Sequence, residues 1–157
     1  MDLPQRKRPA FQPVFNITNR TNIIFVTVCT AHRKSILAND LIHNHLLNTW
    51  KNADHWMIGK YLIMPDHIHF FCSPAKPNYQ SIKKWITYWK SLSSKNWPRI
   101  EDQPVWQLSA WDRQLRSGES YSAKWNYIQH NPVRANLCNS PEEWKYQGEL
   151  NILHWRE

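Results

Sequence analysis

The sequence contains little glycine, few cysteines and no long apolar run. Three glycines in 157 residues leave no glycine-rich phosphate loop, so the sequence predicts no ATPase, no dinucleotide enzyme and no nucleotide cofactor. The cysteines Cys29, Cys72 and Cys138 are too scattered for a disulfide framework or a paired-cysteine zinc site. No stretch approaches the roughly 20 apolar residues that cross a bilayer, and the start, MDLPQRKRPA, lacks the apolar core of a secretion signal. We therefore expect a cytoplasmic protein with no membrane partner.

Positive charge and tryptophan are present in excess. Twenty Lys and Arg against twelve Asp and Glu give a net charge of +8 and an isoelectric point of about 9.6. This balance indicates a polyanionic partner, and nucleic acid is the first candidate. The ten tryptophans offer flat faces on which unpaired bases can stack, but tryptophans at helical or strand spacing are more often buried. We expect most of them to fill the core.

The chain length predicts one globular domain, residues 16–157, preceded by a basic, proline-rich arm, residues 1–15. The order of hydrophobic patterns is that of an α+β protein, a ferredoxin-like sandwich in which helices cover one face of an antiparallel sheet. The segment from Pro141 to Glu157 predicts a packed C-terminal wrap. The expected elements are a strand over 23–30, a helix beginning at Asn39 or Asp40 and ending near Ala53, a hairpin of strands 56–64 and 67–72, a helix over 80–96, a strand within 105–116, and a helix starting near Glu119.

The segment MPDHIHFF, residues 64–71, is the clearest local signal for chemistry. Strand alternation places His67 and His69 on the same face, about 7 Å apart along the backbone, so that two imidazoles can converge on one metal ion. The spacing alone is equally compatible with two histidines on the solvent face of a sheet. His43 and His45 have the same spacing in a predicted helix, where their directions diverge by roughly 200°, so this pair is not expected to share an ion.

A second segment, YIQHNPVRA, covers residues 127–135. Tyr127 and Asn131 lie four residues apart, so they share one face if the helix continues to Asn131, and together they offer a nucleophile and an oxygen ligand. Pro132 predicts either a helix boundary or the first turn of a new helix. From the pattern alone, a helical tyrosine is more often a core residue with its hydroxyl at the surface.

Taken with VWQLSAWDRQLRSGESY, residues 105–121, these segments resemble the REP-associated tyrosine transposases, a branch of the HUH-type single-tyrosine transposases. The resemblance runs from about Asn16 to Trp144 in the family's order and spacing. Short H-x-H strings are common, whereas the three segments together are specific. The family continues NPVRA with Gly-Leu, and this chain has Asn136-Leu137. Asparagine tolerates the left-handed conformation, so we expect the turn to be kept.

The resemblance implies a metal-dependent enzyme that nicks and joins single-stranded DNA. It implies that His67 and His69 hold Mg²⁺ or Mn²⁺, with Asn131 at the position of the third ligand. Tyr127 is then the nucleophile, which forms a 5′-phosphotyrosine and leaves a 3′-hydroxyl that can later reverse the step. The implied partner is single-stranded or hairpin DNA of the REP-like palindromic kind, bound by a monomer or a homodimer. The base that accepts the tyrosine proton is not assigned.

Other polar residues are weaker candidates for this site. We predict Asp66 to be a turn residue, because alternation places it opposite His67, although a fourth ligand or a partner that orients a histidine is the alternative. A group of charged residues is predicted to contact DNA. Each member of the group can equally be a solvated surface charge, and Asp112 and Arg116 can equally form a structural ion pair. The combined positive field of the cations, however, favours DNA binding. This group is Lys83, Lys84, Lys90, Asp112, Arg113, Arg116 and Arg134.

Three other functions fit part of these observations. A catalytically silent or domesticated regulator that binds DNA hairpins would have the same charge, although the presence of His67, His69 and Tyr127 argues against it. A replication initiator or relaxase would share the chemistry, but such proteins commonly carry larger chains. An unrelated basic protein could bind zinc through the histidines, and the identity of the metal and the preferred DNA strand would separate it from the others.

Overall fold

The computed structural model describes residues 22–115 and 118–154, and these residues form a five-stranded antiparallel sheet with helices. The predicted arm, residues 1–15, lies outside the described residues, as does Arg116. The strands are β1 (Ile24–Cys29), β2 (Trp56–Ile63), β3 (His67–Pro74), β4 (Trp111–Gln114) and β5 (Gln147–Glu149). The helices are α1 (Asp40–Asn52), α2 (Ile82–Lys95), α3 (Gly118–Gln129) and α4 (Asn131–Arg134).

The strand order is β4-β1-β3-β2-β5, and every pairing is antiparallel. The run β1-α1-β2-β3-α2-β4 with the order β4-β1-β3-β2 is the ferredoxin-like sandwich, so the predicted α+β fold class is confirmed. The strand β5, which the sequence patterns did not predict, extends the sheet beside β2. Within the described residues, no helix has the length and apolarity needed to cross a bilayer.

Local signals explain where the elements begin. The side chain of Asn39 accepts a hydrogen bond of 2.9 Å from the backbone N–H of Ile42, so Asn39 is the N-cap of α1. Ser81 caps α2 in the same way, at 3.2 Å from the N–H of Lys84. The predicted hairpin is confirmed: the backbone N–H of Met64 donates to the carbonyl of His67 at 2.8 Å, closing the turn at Pro65 and Asp66.

One face of the sheet holds the larger core, which α1 and α2 cover as predicted. The buried residues of β1 on this face, Ile24, Val26 and Val28, join the apolar stripes of both helices. Each such fully buried side chain contributes about 1.5–3 kcal/mol relative to exposure. The expectation that most tryptophans fill the core is confirmed, because the buried core here includes Trp50, Trp56, Trp85, Trp89, Trp97 and Trp106.

The opposite face of the sheet carries α3 and the C-terminal segment. The prediction placed all helices on one face, but Tyr121 and Ile128 of α3 pack with Leu62, Phe71 and Leu153 on this side. The physical reason is that the central strands are apolar on both faces, so the second face also has to be covered. This arrangement brings α3 to the face on which the paired histidines lie.

Gly59 of β2 allows this second layer to approach the sheet. A Cβ atom at Gly59 would lie 2.6 Å from Cγ of Leu153 and 2.7 Å from the hydroxyl oxygen of Tyr121. Both distances are shorter than a van der Waals contact. The absence of a side chain at Gly59 therefore positions α3 and the C-terminal segment against β2.

Candidate metal and tyrosine site

His67 and His69 lie on the same face of β3, as strand alternation predicts. Their ring centroids are 4.8 Å apart and their planes are inclined at 79°. Thr27 of β1 is the cross-strand partner of His69, and the Phe25 ring stacks against His69 with centroids 5.4 Å apart. We call this side of the sheet, which bears Phe25, Thr27, His67 and His69, the histidine face.

Each histidine is oriented through its Nδ1 atom. The hydroxyl of Thr27 lies 2.8 Å from Nδ1 of His69, and Nδ1–H of His67 donates to the Asp66 carboxylate at 2.7 Å. Because both contacts use Nδ1, the Nε2 atoms are the nitrogens that could bind a metal ion. Partners of this kind fix the tautomer and the ring orientation of metal-binding histidines.

Asp66 therefore does more than form the turn. Its second carboxylate oxygen accepts a hydrogen bond of 3.1 Å from Nε of Arg33. Burial raises the pKa of Asp66, but the hydrogen bonds from His67 and Arg33 outweigh burial and hold the pKa below its usual value. The prediction that Asp66 is a turn residue is confirmed, and the alternative that it orients a histidine holds as well, because strand alternation, which had placed it opposite His67, does not apply in the turn before β3.

Arg33 is a residue of this site that the sequence did not reveal. It follows β1 in a short 3₁₀ turn, Ala31–Arg33, in which His32 and Arg33 have positive φ angles of 57° and 49°. This left-handed backbone directs the guanidinium back to Asp66. No spacing rule or motif anticipates a left-handed conformation at Arg33.

Electrostatics keep His69 in the form that can bind a metal. Burial, together with the smaller effects of the nearby His67 and Lys124, lowers the pKa of His69 to about 3. The imidazole is therefore neutral at physiological pH, with a lone pair available for coordination. His43 and His45, by contrast, hydrogen-bond separately to the Tyr61 hydroxyl and the Ser93 carbonyl, which confirms that this pair does not converge.

Tyr127 and Asn131 belong to two successive helices. The helix α3 ends at Gln129, and Asn131 begins α4 with Pro132 in its first turn, which is the second of the two predicted possibilities. The side chain of Tyr127 is 63% exposed, so it is not the core residue that the pattern alone favoured. The condition under which Tyr127 and Asn131 would share one helical face, a helix that continues to Asn131, is not met, because proline has no N–H to continue the ladder.

Arg134 joins these two residues. One guanidinium nitrogen donates to the backbone carbonyl of Tyr127 at 2.7 Å and also to the side-chain oxygen of Asn131. The guanidinium carbon lies 4.1 Å from the centroid of the Tyr127 ring. Arg134, predicted as a DNA contact, thus holds the tyrosine and the asparagine together.

The tyrosine helix and the histidines lie on the same side of the sheet. Lys124, one helical turn before Tyr127, lies over the Phe25 ring with its ammonium nitrogen 4.9 Å from the centroid. Phe25 in turn stacks on His69. His130, between α3 and α4, contacts α3, with Nδ1 2.9 Å from the carbonyl of Asn126.

The donor set fits a divalent metal held by few protein ligands. His67 and His69 place two imidazoles side by side, and Asn131, on α4, carries an amide oxygen that keeps a second lone pair beside the Arg134 contact, so these are the residues that would hold such an ion. Across residues 22–115 and 118–154, no three His, Cys, Asp or Glu side chains cluster as metal ligands. A sparse set of this kind leaves positions for water and phosphate oxygens, as Mg²⁺ requires.

The other predicted DNA contacts are dispersed over the surface. Lys83 and Lys84 are exposed on α2, which covers the face opposite the histidines. Arg113 is exposed on β4 and is the cross-strand partner of Phe25, so it stands on the histidine face. Arg116 lies outside the described residues.

Two of the residues predicted to contact DNA, Lys90 and Asp112, interact with other parts of the protein. The ammonium of Lys90 donates to the carbonyls of Gln107 and Leu108 at 2.6 and 3.2 Å, so its charge fastens a loop to α2. Asp112 is paired with Val26 and therefore faces the larger core rather than the histidines. Its carboxylate adds to the effect of burial in raising the pKa of Cys72. Their sequence positions carry no signal that separates these roles from DNA binding.

Comparison with known families finds a match over most of the chain. A family model described as IS200-like transposase matches residues 18–131. This span begins before β1, contains both histidines and Tyr127, and ends at Asn131.

Individual relatives are more distant. The chain is 21% identical over 138 residues, 79% of this chain and 77% of the other, to a Haemophilus influenzae protein provisionally named a REP-associated tyrosine transposase. A second, uncharacterised protein of Haemophilus influenzae is 24% identical over 144 residues, which cover 69% of this chain and 79% of that protein.

Two solved structures share the fold. A REP-associated tyrosine transposase bound to a REP hairpin superposes with a TM-score of 0.68 at 16% identity, covering 87% of this chain and 82% of that one. A Deinococcus radiodurans protein, provisionally described as a transposase, gives a TM-score of 0.53 at 16% identity, covering 82% and 100% of the two chains.

Proposed function

Because this chain belongs to the IS200-like transposase family, we propose that it is a DNA-processing enzyme that nicks and rejoins single-stranded DNA through Tyr127. The observation that carries this proposal is the placement of an exposed tyrosine, held by Arg134, on the side of the sheet where His67 and His69 converge. A nucleophile and a pair of metal-binding nitrogens on one face are the parts that phosphodiester transfer needs.

The proposed reaction has one covalent intermediate. The hydroxyl oxygen of Tyr127 attacks the phosphorus of a phosphodiester, the bond from phosphorus to the 3′ oxygen breaks, and a 5′-phosphotyrosine forms. The tyrosine proton ends on the departing 3′ oxygen, which becomes a free hydroxyl. The reverse attack by a 3′-hydroxyl rejoins DNA without ATP, because the phosphotyrosine bond conserves the energy of the broken bond.

The protein residues orient the groups that react. Thr27 and Asp66 hold the two imidazoles by Nδ1, and Arg134 holds the Tyr127 ring beside Asn131. Mg²⁺ or Mn²⁺ bound by His67 and His69, with the Asn131 oxygen as a further ligand, would neutralise charge on the scissile phosphate, a contribution of several kcal/mol.

We further propose that the substrate is hairpin DNA with a single-stranded flank, bound by a monomer or a homodimer. The net charge of +8 and the exposed cations Lys83, Lys84 and Arg113 support a polyanionic partner. The fold is shared with a transposase whose solved structure contains a REP hairpin.

The test is an adduct assay. The purified protein is incubated with hairpin DNA from the flanks of its own gene, with and without Mg²⁺ or Mn²⁺, and resolved by denaturing electrophoresis. We expect a metal-dependent covalent adduct that the Tyr127→Phe variant does not form. The matched control is Tyr88→Phe, which removes another exposed tyrosine hydroxyl, on α2, and should leave the adduct unchanged.

Either of two results would contradict the proposal. An adduct that persists in Tyr127→Phe would show that another residue is the nucleophile. Hairpin binding with no adduct under any metal would instead favour a catalytically silent regulator that binds DNA hairpins.

A further inference from the structure

Trp111 stands in line with His69 across the sheet. Thr27 of β1 is paired with His69 on one side and with Trp111 on the other. Directly opposed residues of antiparallel strands point to the same face, so the Trp111 side chain belongs to the histidine face. Two strand spacings separate the backbones of Trp111 and His69, about 10 Å.

The exposure of Trp111 distinguishes it from the other tryptophans that the structure describes. Its side chain is 58% exposed, whereas six tryptophans are buried in the larger core, and Trp125 and Trp144 are partly buried. A large apolar ring in water carries an unfavourable hydration free energy that the fold could avoid by burial. An exposed indole next to a reaction site is therefore a candidate surface for a planar ligand.

Two cations lie on the same side of the sheet as this indole. Arg113, two residues further along β4, is exposed on the same face and is paired with Phe25. The ammonium nitrogen of Lys124, on α3, lies over the Phe25 ring, 4.9 Å from its centroid. Sites for single-stranded nucleic acid combine aromatic rings that stack on bases with cations that follow the phosphates.

The backbone that carries Trp111 is held in place. The ammonium of Lys90 binds the carbonyls of Gln107 and Leu108 in the loop before β4. Trp106 of the same loop pairs with Thr30, and its indole N–H donates to the Ser93 hydroxyl at 2.9 Å. A ring on a fixed backbone loses little conformational entropy when a ligand stacks on it.

We propose that Trp111 stacks on an unpaired base next to the phosphate that reacts with Tyr127, and that Arg113 contacts the neighbouring backbone phosphate. This assignment deepens the proposed function and rests on it for the position of the strand. It makes Trp111 a positioning residue, which holds the flank of the substrate in register with the histidines and does not take part in bond breaking.

The test couples a change in the protein to a change in the DNA. A fluorescent hairpin with a single-stranded flank of about ten nucleotides, within the range of known single-strand sites, is prepared with one abasic position at a time. Binding is measured by anisotropy in the Tyr127→Phe background, so that no cleavage occurs. In this background we expect Trp111→Ala to weaken binding about tenfold. One abasic position should weaken binding by the protein that retains Trp111 equally, without weakening the Trp111→Ala variant further.

Two further variants control for folding and for apolar exposure. Trp111→Phe keeps an aromatic ring and should retain most of the coupling to the same abasic position. Leu108→Ala removes a fully exposed apolar side chain from the adjacent loop and should change neither affinity nor coupling. In the Tyr127-containing protein, Trp111→Ala should require more DNA for adduct formation but reach a similar rate at saturation.

The outcomes separate this inference from the proposed function. An adduct in the wild-type protein combined with strictly additive effects of Trp111→Ala and every abasic position would overturn the stacking role alone. Coupling at one base without any wild-type adduct would support the stacking role and overturn the chemistry. An equal loss in Trp111→Ala and Leu108→Ala would show a general surface effect and also overturn the stacking role.

Discussion

The guanidinium of Arg134 lies over the ring of Tyr127, 4.1 Å from its centroid, and donates to the backbone carbonyl of the same residue. The same group also donates to the side chain of Asn131. Arginine is suited to this double task because its fork of donors is planar and rigid, whereas a lysine ammonium is a compact point charge on a flexible stem. These contacts show that Arg134 positions the Tyr127 side chain, whether or not it also contacts DNA.

Replacing Arg134 by Lys should therefore slow adduct formation more than it weakens DNA binding. We expect the single-turnover rate to fall about 10- to 100-fold, as is typical when a reacting group is misplaced by about 1 Å. The measurement is the rate of adduct formation at saturating DNA, with binding determined separately. The control is Arg99→Lys in an exposed loop, which should leave the rate unchanged.

Loss of binding without a slower saturated rate would show that Arg134 serves DNA and not the tyrosine. Equal rates in Arg134→Lys and Arg99→Lys would also contradict the positioning role.

Asp66→Asn should reduce metal affinity. The carboxylate holds Nδ1 of His67 at 2.7 Å, and loss of such a partner typically weakens metal binding about 10- to 100-fold. Mn²⁺ binding is measured by calorimetry on the DNA-free protein, and activity by the metal concentration that gives half-maximal adduct. The matched control, Asp54→Asn, removes an exposed carboxylate paired with Lys76 near the start of β2. An unchanged Mn²⁺ affinity in Asp66→Asn would show that Asp66 does not support metal binding.

A methyl group at Gly59 should destabilise the fold. Its nearest neighbours would be Leu153 and the Tyr121 hydroxyl at 2.6 and 2.7 Å, so α3 or the C-terminal segment must shift. We expect Gly59→Ala to lower the free energy of unfolding by about 1–3 kcal/mol in urea denaturation. Gly148→Ala, whose added Cβ would lie 3.0 Å from the Tyr61 hydroxyl, is the milder comparison. Equal free energies of unfolding for Gly59→Ala and wild type would show that α3 and the C-terminal segment can shift away from β2 without loss of stability.

Acid should destabilise the protein in part through His43. Burial lowers the pKa of His43 in the folded state, so below the unfolded value of about 6.5 the unfolded chain binds the proton first. The free energy of unfolding should therefore fall as the pH drops from 7 through 6.5 and below. His43→Gln, which can keep the bond to Tyr61, should reduce this slope by at most one proton, about 1.4 kcal/mol per pH unit. If the free energy of unfolding fell with the same slope against pH in wild type and His43→Gln, this contribution of His43 would be contradicted.

Periodic signals predicted the parts of the site that follow from regular structure. The shared face of His67 and His69 follows from strand alternation, and the hairpin follows from Pro65 and Asp66 between two apolar runs. The cap at Asn39 is equally local. These features depend on residues close together in the chain, so a single sequence contains them.

Features that depend on irregular backbone or on distant contacts could not be predicted. Arg33 reaches Asp66 through a left-handed turn, and no pattern in the chain specifies that conformation. Lys90 and Arg113 are both cations near apolar segments, yet the carbonyls of a distant loop bind the first and leave the second exposed. The side on which α3 packs depends on the summed apolar surface of the whole sheet, which only the assembled fold determines.

Among the described residues, the six tryptophans of the larger core all lie on the side of the sheet away from His67 and His69. Most of the apolar burial that stabilises the chain is thus physically separated from the surface that would meet DNA. Substitutions on that surface, at Trp111 or Arg113 for example, should therefore leave the core that supports folding intact. Under the proposed function, DNA recognition could then vary at little risk of unfolding.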